Sequence, residues 1–206
     1  MHVYQYCAGK AEVFESLKHV SHHVHSFTGT HRRLECLKST TVVDGNVQKS
    51  ITVYDDYAHH PTECKASLRA VAQAHPGAQI WVAWEPITRS RLEYFLHDFV
   101  DAFTVADTVV VSPIDTSRED DDPGKDKELL VELKERLCAA QHREIAHPDD
   151  STTIADSWTE VSDSLYSLLE KVMSSSTESN TVVLFLGASK ITHAAHAFAE
   201  CDRLGS

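Results

Sequence analysis

The chain has 206 residues and a mass of 23.0 kDa, enough for one domain with a closed core. Hydrophobic residues are 42% and charged residues 24%, and with only 7 Gly and 6 Pro the chain is neither low-complexity nor collagen-like. The net charge of −12 argues against a general binder of nucleic acid or anionic membranes, and no apolar run approaches the roughly 20 residues that span a bilayer.

In chain order, Met1–Lys10 has no basic flank followed by an apolar stretch, so no signal peptide is read there and a cytoplasmic location is expected. Ala11–Val20 reads as a short amphipathic helix, with Val13, Phe14, Leu17 and Val20 on one stripe. His22, His23 and His25 follow in a polar stretch with no Cys or Glu spaced to complete a metal site, and no metal centre is expected. Two β-like runs, about Leu34–Val43 and Val47–Tyr54, flank Asp44-Gly45-Asn46, and Asp-Gly suits a tight hairpin.

Pro61 can open a helix, and Thr62–His75 carries helical residues. Ile80–Trp84 predicts a buried strand, Arg91–Phe103 one amphipathic helix, and Thr108–Val111 a second strand. Ser117–Lys127, with Pro123-Gly124, predicts a charged loop before a helix over Glu128–Ala140. His142–Ala146 is a weak strand pattern and Ser157–Met173 a helix. A Ser/Thr linker then leads to the apolar strand Val182–Leu186 and a last helix over about Lys190–Arg203. A hairpin followed by alternating strands and helices predicts an α/β domain, with a Rossmann-like, mostly parallel sheet flanked by helices. Ligands on such sheets gather at the carboxyl ends of the strands, here Asp55–Pro61, Glu85–Arg91, Ser112–Glu119 and Gly187–Lys190.

Charge is uneven along the chain. Residues 1–69 are close to neutral and hold most of the 14 histidines, whereas residues 70–206 carry the whole negative excess. An anion would find its partners in the first third; the plainer reading is an acidic surface that keeps the chain soluble. The 5 cysteines are widely spaced with no Cys-x-x-Cys, which fits reduced thiols rather than a disulfide framework or a zinc ribbon.

The densest chemistry lies in Asp55-Asp56-Tyr57-Ala58-His59-His60-Pro61-Thr62-Glu63, where a strand delivers carboxylates, a phenol and two imidazoles into one loop. Histidines bind phosphate or move protons near neutral pH, and the amides opening the next helix can face an anion. The structural alternative is a polar loop in which Asp56 caps and His60 packs. A second, weaker signal is Gly187-Ala188-Ser189-Lys190, which reads as a phosphate turn or, more simply, as a strand-to-helix turn.

This nine-residue cluster resembles the signature that opens the C-terminal domain of Mur ligases. It is most like the subgroup adding L-alanine to UDP-N-acetylmuramate and the related murein-peptide recycling ligase. Gly29-Thr30-His31-Arg32-Arg33-Leu34-Glu35 resembles the segment preceding that domain, and Pro86, Arg91, Pro113, Glu119 and Leu186-Gly187-Ala188 extend the likeness over about residues 11–203. The resemblance implies residues 27–206 as a Mur ligase C-terminal-like domain and residues 1–26 as a helical remnant of a preceding domain. It implies a part in an ATP-dependent acid–amino-acid ligase of peptidoglycan synthesis or recycling, with ATP and Mg2+ as cofactors and a nucleotide and an amino acid as partners. A separate ATP-binding domain or chain would be required. By the same resemblance Arg33, Asp56 and Tyr57 lie on the nucleotide side, and His59, His60 and Arg91 line the cleft near the phosphates and the incoming amine.

Several features depart from the family. No Gly-x-x-x-x-Gly-Lys-Thr/Ser occurs, so the phosphate cradle of the family's second domain is not in this chain. The family's Pro-His-x-Tyr-x-Arg becomes Pro86-Ile87-Thr88-Arg89-Ser90-Arg91, without the His and the Tyr. A non-catalytic Mur-like module that binds a nucleotide, an acidic ligand or a protein partner is the alternative these departures keep open.

Overall fold

The computed structural model describes residues 30–44, 47–120, 122–140, 152–155, 157–174, 177, 179–201 and 204. The helix read over Ala11–Val20, the His22–His25 stretch and the strand pattern at His142–Ala146 lie outside the described residues.

The hairpin forms from β1 (Glu35–Asp44) and β2 (Val47–Asp56), antiparallel, with Asp44 opposite Val47 so that two residues connect the strands. The register slips by one between Cys36 and Lys38, a bulge that lets the first residues of β1 turn toward the end of β2. After β2 the chain alternates: α1 (Pro61–Ala74), β3 (Gln79–Trp84), α2 (Arg89–Tyr94), α3 (Leu96–Phe103), β4 (Thr108–Val111), α4 (Pro123–Ala140), β5 (Thr152–Ile154), α5 (Trp158–Ser174), β6 (Ser179–Leu186) and α6 (Ile191–Ala199). The sheet order is β1-β2-β6-β3-β4-β5, and every pairing after the hairpin is parallel. The expected α/β architecture is present.

Period-two alternation splits the core in two. Val82, Trp84, Val109, Val111, Leu184 and Leu186 face α1, α3 and α4. Val53, Trp81, Ala83, Val110, Val183 and Phe185 face α5 and α6. Strands covered on both faces can be apolar throughout, which is why Thr108–Val111 and Val182–Leu186 carry almost no polar residues. Trp84, Phe99 and Phe103 interlock, with Trp84 4.5 Å and 4.8 Å from the two phenyl centroids.

Three expectations are corrected. The helix expected over Arg91–Phe103 is two helices, α2 and α3, broken at Phe95 (φ −106°, ψ 19°), whose ring turns onto His60. The helix expected from Glu128 starts at Pro123. Pro123-Gly124, read as part of a charged loop, is instead a first helical turn, where the missing proline N–H costs nothing and Asp122 caps by accepting from Lys125 N–H. Beside β4 stands a strand that no sequence pattern announced, Thr152–Ile154, whose three residues are too few to show a period. The last helix is also shorter than expected, ending at Ala199. No helix among the described residues is long and apolar enough to cross a membrane.

The order of the strands decides where chemistry can happen. After β5 the chain returns to insert β6 between β2 and β3, so three carboxyl ends meet at one point. There Gly187 N–H donates to the Asp56 carbonyl, and Glu85 N–H donates to that of Leu186. This reversal of strand order is the place where open α/β sheets take ligands.

Candidate functional site

At the end of β2, Asp55 and Asp56 are both buried and do different work. Asp56 accepts from Leu34 N–H (2.9 Å), Ala58 N–H (2.8 Å) and the Ser67 hydroxyl (3.2 Å). It therefore fastens the segment before β1, its own loop and α1 together, and its carboxylate is spent inside the fold. Asp55 accepts from Arg32 Nε (3.2 Å) and from the Thr192 hydroxyl (2.6 Å). Its other oxygen, Oδ1, is buried without a partner.

The neighbouring arginines part company. Arg32, at φ +53°, lies in the left-handed region, as does Leu34 at +47°. That backbone path turns the Arg32 carbonyl onto Tyr57 N–H and its guanidinium onto Asp55 and the Gly187 carbonyl, at 2.6 Å. Arg33 faces solvent, with Cζ 5.7 Å from the Tyr57 ring centroid and no hydrogen bond or ion pair among the described residues. The Tyr57 phenol thus lies beside both guanidinium groups and meets the His59 ring edge-on at 5.3 Å.

The two histidines are fixed by opposite hydrogen bonds. His59 Nδ1 is 2.9 Å from the Tyr57 carbonyl, which only accepts, so Nδ1 carries the proton and Nε2 is left basic. His60 caps α1, and its Nδ1 receives the Thr62 N–H at 3.4 Å, so in the neutral ring the proton sits on Nε2. Glu63 closes the capping box by accepting from the amides of His59 (3.1 Å) and His60 (3.2 Å). Burial pushes the Glu63 carboxyl up, but those two amides, with the charges of His59 and Arg33, outweigh it and leave it below its ordinary value. One imidazole nitrogen that accepts and one that donates are therefore available from adjacent residues. The His60 ring also packs edge-on against Phe95, centroids 4.7 Å apart. The structural reading is corrected in part: His60 both packs and caps α1, and Asp56 instead ties its own loop to Leu34 and Ser67.

From the end of β3 come Glu85 and the α2 segment. Arg91, half-buried, has no hydrogen bond or ion pair for its guanidinium among the described residues. Arg89 does the opposite. Its Nε is 2.6 Å from Asp126 Oδ1, and its other nitrogens reach the carbonyls of Asp120 and Asp122. Glu119 caps α2 by accepting from Arg89 N–H and Ser90 N–H. Thr88, a β-branched residue at φ +63°, makes the turn into that helix, and Ile87 bridges to Asp115.

Glu85 is a residue that sequence reasoning did not single out. Its buried carboxylate accepts from the amides of Ser189 (3.1 Å), Lys190 (3.1 Å) and Ile191 (3.3 Å). The turn at Gly187-Ala188-Ser189-Lys190 is thus a strand-to-helix turn whose free amides are filled by the side chain that follows β3 rather than held open for a phosphate. Gly187 is required there: at φ +151°, an added Cβ would lie 2.9 Å from Glu85 Cβ and 2.8 Å from Ile191 Cγ2. Desolvation raises the Glu85 carboxyl above its ordinary value, against the pull of the three amides and with help from Asp115.

A raised carboxyl holds its proton more tightly folded than unfolded. Its contribution to stability is therefore complete below the unfolded pKa and is lost as pH rises through the folded one. Thermal midpoints of the wild type and Glu85→Gln, measured from about pH 4 to pH 8, are expected to diverge in slope, with the wild type alone losing this contribution as pH rises above about 4.5. Parallel curves would show that Glu85 is not the group responsible.

For a polyanion such as a nucleotide phosphate, the residues fit: the guanidinium groups of Arg33 and Arg91 and the Nε2 atoms of His59 and His60 have no hydrogen bond or ion pair among the described residues. For a divalent cation they do not. Asp55, Asp56 and Glu85 are consumed internally, and no group of three His, Cys, Asp or Glu side chains among the described residues could hold a metal.

Comparison with known proteins places this arrangement. Residues 32–189 match the family described as Mur ligase, glutamate ligase domain. The UDP-N-acetylmuramate–L-alanine ligase of Frankia casuarinae is 34% identical over 174 residues, which are 81% of this chain and 32% of that enzyme. The chain thus spans about a third of the length of this relative. The solved UDP-N-acetylmuramate–alanine ligase of Thermotoga maritima superposes with a TM-score of 0.53 at 24% identity, covering 92% of this chain and 35% of that one. The folylpolyglutamate synthase of Mycobacterium tuberculosis, solved in complex with ADP, gives 0.55 at 18% identity over 84% of this chain and 33% of that one. These two structures share the fold.

Proposed function

The chain belongs to the Mur ligase family, and from that premise we propose that it acts as the C-terminal domain of an ATP-dependent acid–amino-acid ligase of peptidoglycan synthesis or recycling, active only with an ATP-binding domain. The observation that carries this reading is the contrast between the arginines. Arg32 and Arg89 are tied to Asp55 and Asp126, whereas the guanidinium groups of Arg33, beside Tyr57, and Arg91, in the α2 segment after β3, form no ion pair or hydrogen bond among the described residues. Two unpaired guanidinium groups at the carboxyl end of a parallel sheet suit a phosphorylated ligand.

In this reading ATP supplies the phosphoryl group that activates a substrate carboxylate. Arg33 and Arg91 offset the phosphate charge, a stabilisation that grows as negative charge develops. His60 Nε2–H donates to an anionic oxygen. His59 Nε2, the basic nitrogen, accepts a proton from the incoming ammonium and so frees the amine. Tyr57 and Phe95 wall the loop and keep both rings in place. Magnesium takes no ligand from the described residues and is assigned to the partner domain.

The isolated chain with ATP, magnesium and candidate substrates is expected to release phosphate at background, because the glycine-rich loop and lysine that position the γ-phosphate are not in its sequence. Pyrophosphate is expected to bind weakly, on the order of millimolar, or about −4 kcal/mol, since the open corner is screened by salt. Shifts in an NMR titration should fall on the Asp55–His60 amides and both imidazoles, and vanish in the Arg33→Gln/Arg91→Gln double variant. The second reading, a non-catalytic Mur-like module, is favoured by one observation: Glu85 fills the amides of the β6–α6 turn. Silence of the Asp55–Pro61 loop at saturating pyrophosphate would put that reading first.

A further inference from the structure

A second site lies at the other end of the sheet's carboxyl edge, beyond β4. A cleft of about 570 Å³ opens between α4 and the residues that follow β4 and β5. Its floor is apolar, made by Ile114, Leu130, Ile154 and Ala155, and Val131, 47% exposed, continues the apolar surface to the rim. A volume of this size, apolar with a few convergent polar groups, is the ordinary form of a small-molecule pocket.

Two of the three charged groups that line it are cationic. Lys127 and Lys134 are seven residues apart on α4, two helical turns, and both line the cleft. Neither has a hydrogen bond or ion pair among the described residues. The carboxylate in the lining, Asp126, is already neutralised by Arg89 at 2.6 Å. Two unpaired ammonium groups thus stand over an apolar floor, in the part of the chain that carries the whole negative excess. An acidic surface repels anions in general, so a local cationic rim selects where one can settle.

We propose that this cleft binds a small apolar carboxylate, its tail on Ile114, Leu130 and Ile154 and its head between Lys127 and Lys134. The site shares no side chain with the Arg33–His59–Arg91 corner and stands independently of the ligase reading.

The test uses octanoate as probe on the full chain, with methyl NMR as readout. Saturable shifts are expected at Ile114, Leu130 and Ile154, and 1-octanol should bind more weakly. Lys127→Gln/Lys134→Gln should weaken octanoate about five-fold, the loss typical of partly exposed ion pairs. Both lysines are on the surface, and an unchanged circular-dichroism melt confirms that the variant is folded. Val131→Asp, at an exposed position, should abolish binding. Arg33→Gln/Arg91→Gln should leave it untouched while removing the pyrophosphate response, so the two sites fail separately. No shift at these methyls up to the solubility of octanoate, or equal binding of octanol and octanoate unaffected by loss of both lysines, would overturn the proposal.

Discussion

Arg32→Met is expected to destabilise the domain by about 3–5 kcal/mol, the range found when one partner of a buried ion pair is removed. Asp55 is fully buried, its Oδ1 already lacks a partner, and without Arg32 its charge would rest on the Thr192 hydroxyl alone. The same change also releases the Gly187 carbonyl, to which Arg32 donates at 2.6 Å. Urea unfolding measures the loss, with an unchanged m-value showing that it is one of stability. Arg32→Met/Asp55→Asn should recover part of it by removing the stranded charge. Arg33→Gln, one residue away and exposed, should cost no more than about 0.5 kcal/mol. A loss below about 1 kcal/mol for Arg32→Met would place the pair among ordinary surface ion pairs and refute the assignment.

Asp56→Ala is expected to cost about as much, roughly 3–5 kcal/mol, by a different route. It strands three donors at once: the amides of Leu34 and Ala58 and the Ser67 hydroxyl, each at about 1–3 kcal/mol less whatever water can enter to satisfy it. Asn should recover only part, since it keeps one acceptor and turns an NH2 toward a donor. The effect reaches beyond stability. The Asp56 bonds hold the loop on which His59 and His60 sit, so amide hydrogen exchange across Asp55–His60 should quicken in Asp56→Ala before global unfolding. Unchanged protection in that loop would show that the capping box of α1 holds the histidines by itself.

Much of this was legible in the residues. The hairpin came from two β-rich runs around Asp44-Gly45, and β4 and β6 from β-branched or apolar runs that only a doubly covered strand tolerates. The start of α1 followed from Pro61, which suits a first helical turn; the capping box of His60 and Glu63 was not read. Such signals are local: periodicity, cap and turn chemistry act over a few residues, so the chain states them where they apply. The dense loop from Asp55 to Glu63 announced itself in the same way.

Other features needed neighbours far along the chain. Pro123-Gly124 suits a loop or a helix start equally, and Asp122 with the docking of Arg89 onto Asp126 decides for the helix. The break at Phe95 depends on His60, 35 positions earlier in the numbering, receiving the ring. Arg32 and Arg33 are the same residue type in adjacent positions, and only the left-handed turn at Arg32 assigns one to the interior and one to solvent.

The sequence by itself determined the α/β class, the alternation of elements, the hairpin and the loop in which the chemistry is concentrated. Tertiary structure alone decided which charges are spent and which are free. Arg32 meets Gly187 across 155 residues, Asp55 meets Thr192 across 137, and Glu85 meets the amides of α6 across 104 to 106. These meetings exist because β6 returns to lie between β2 and β3, and no local pattern encodes that return. A carboxylate or guanidinium has the same letter whether it is buried against a partner or open to a phosphate. The strand order supplies or withholds the partner, and with it the charge left for function.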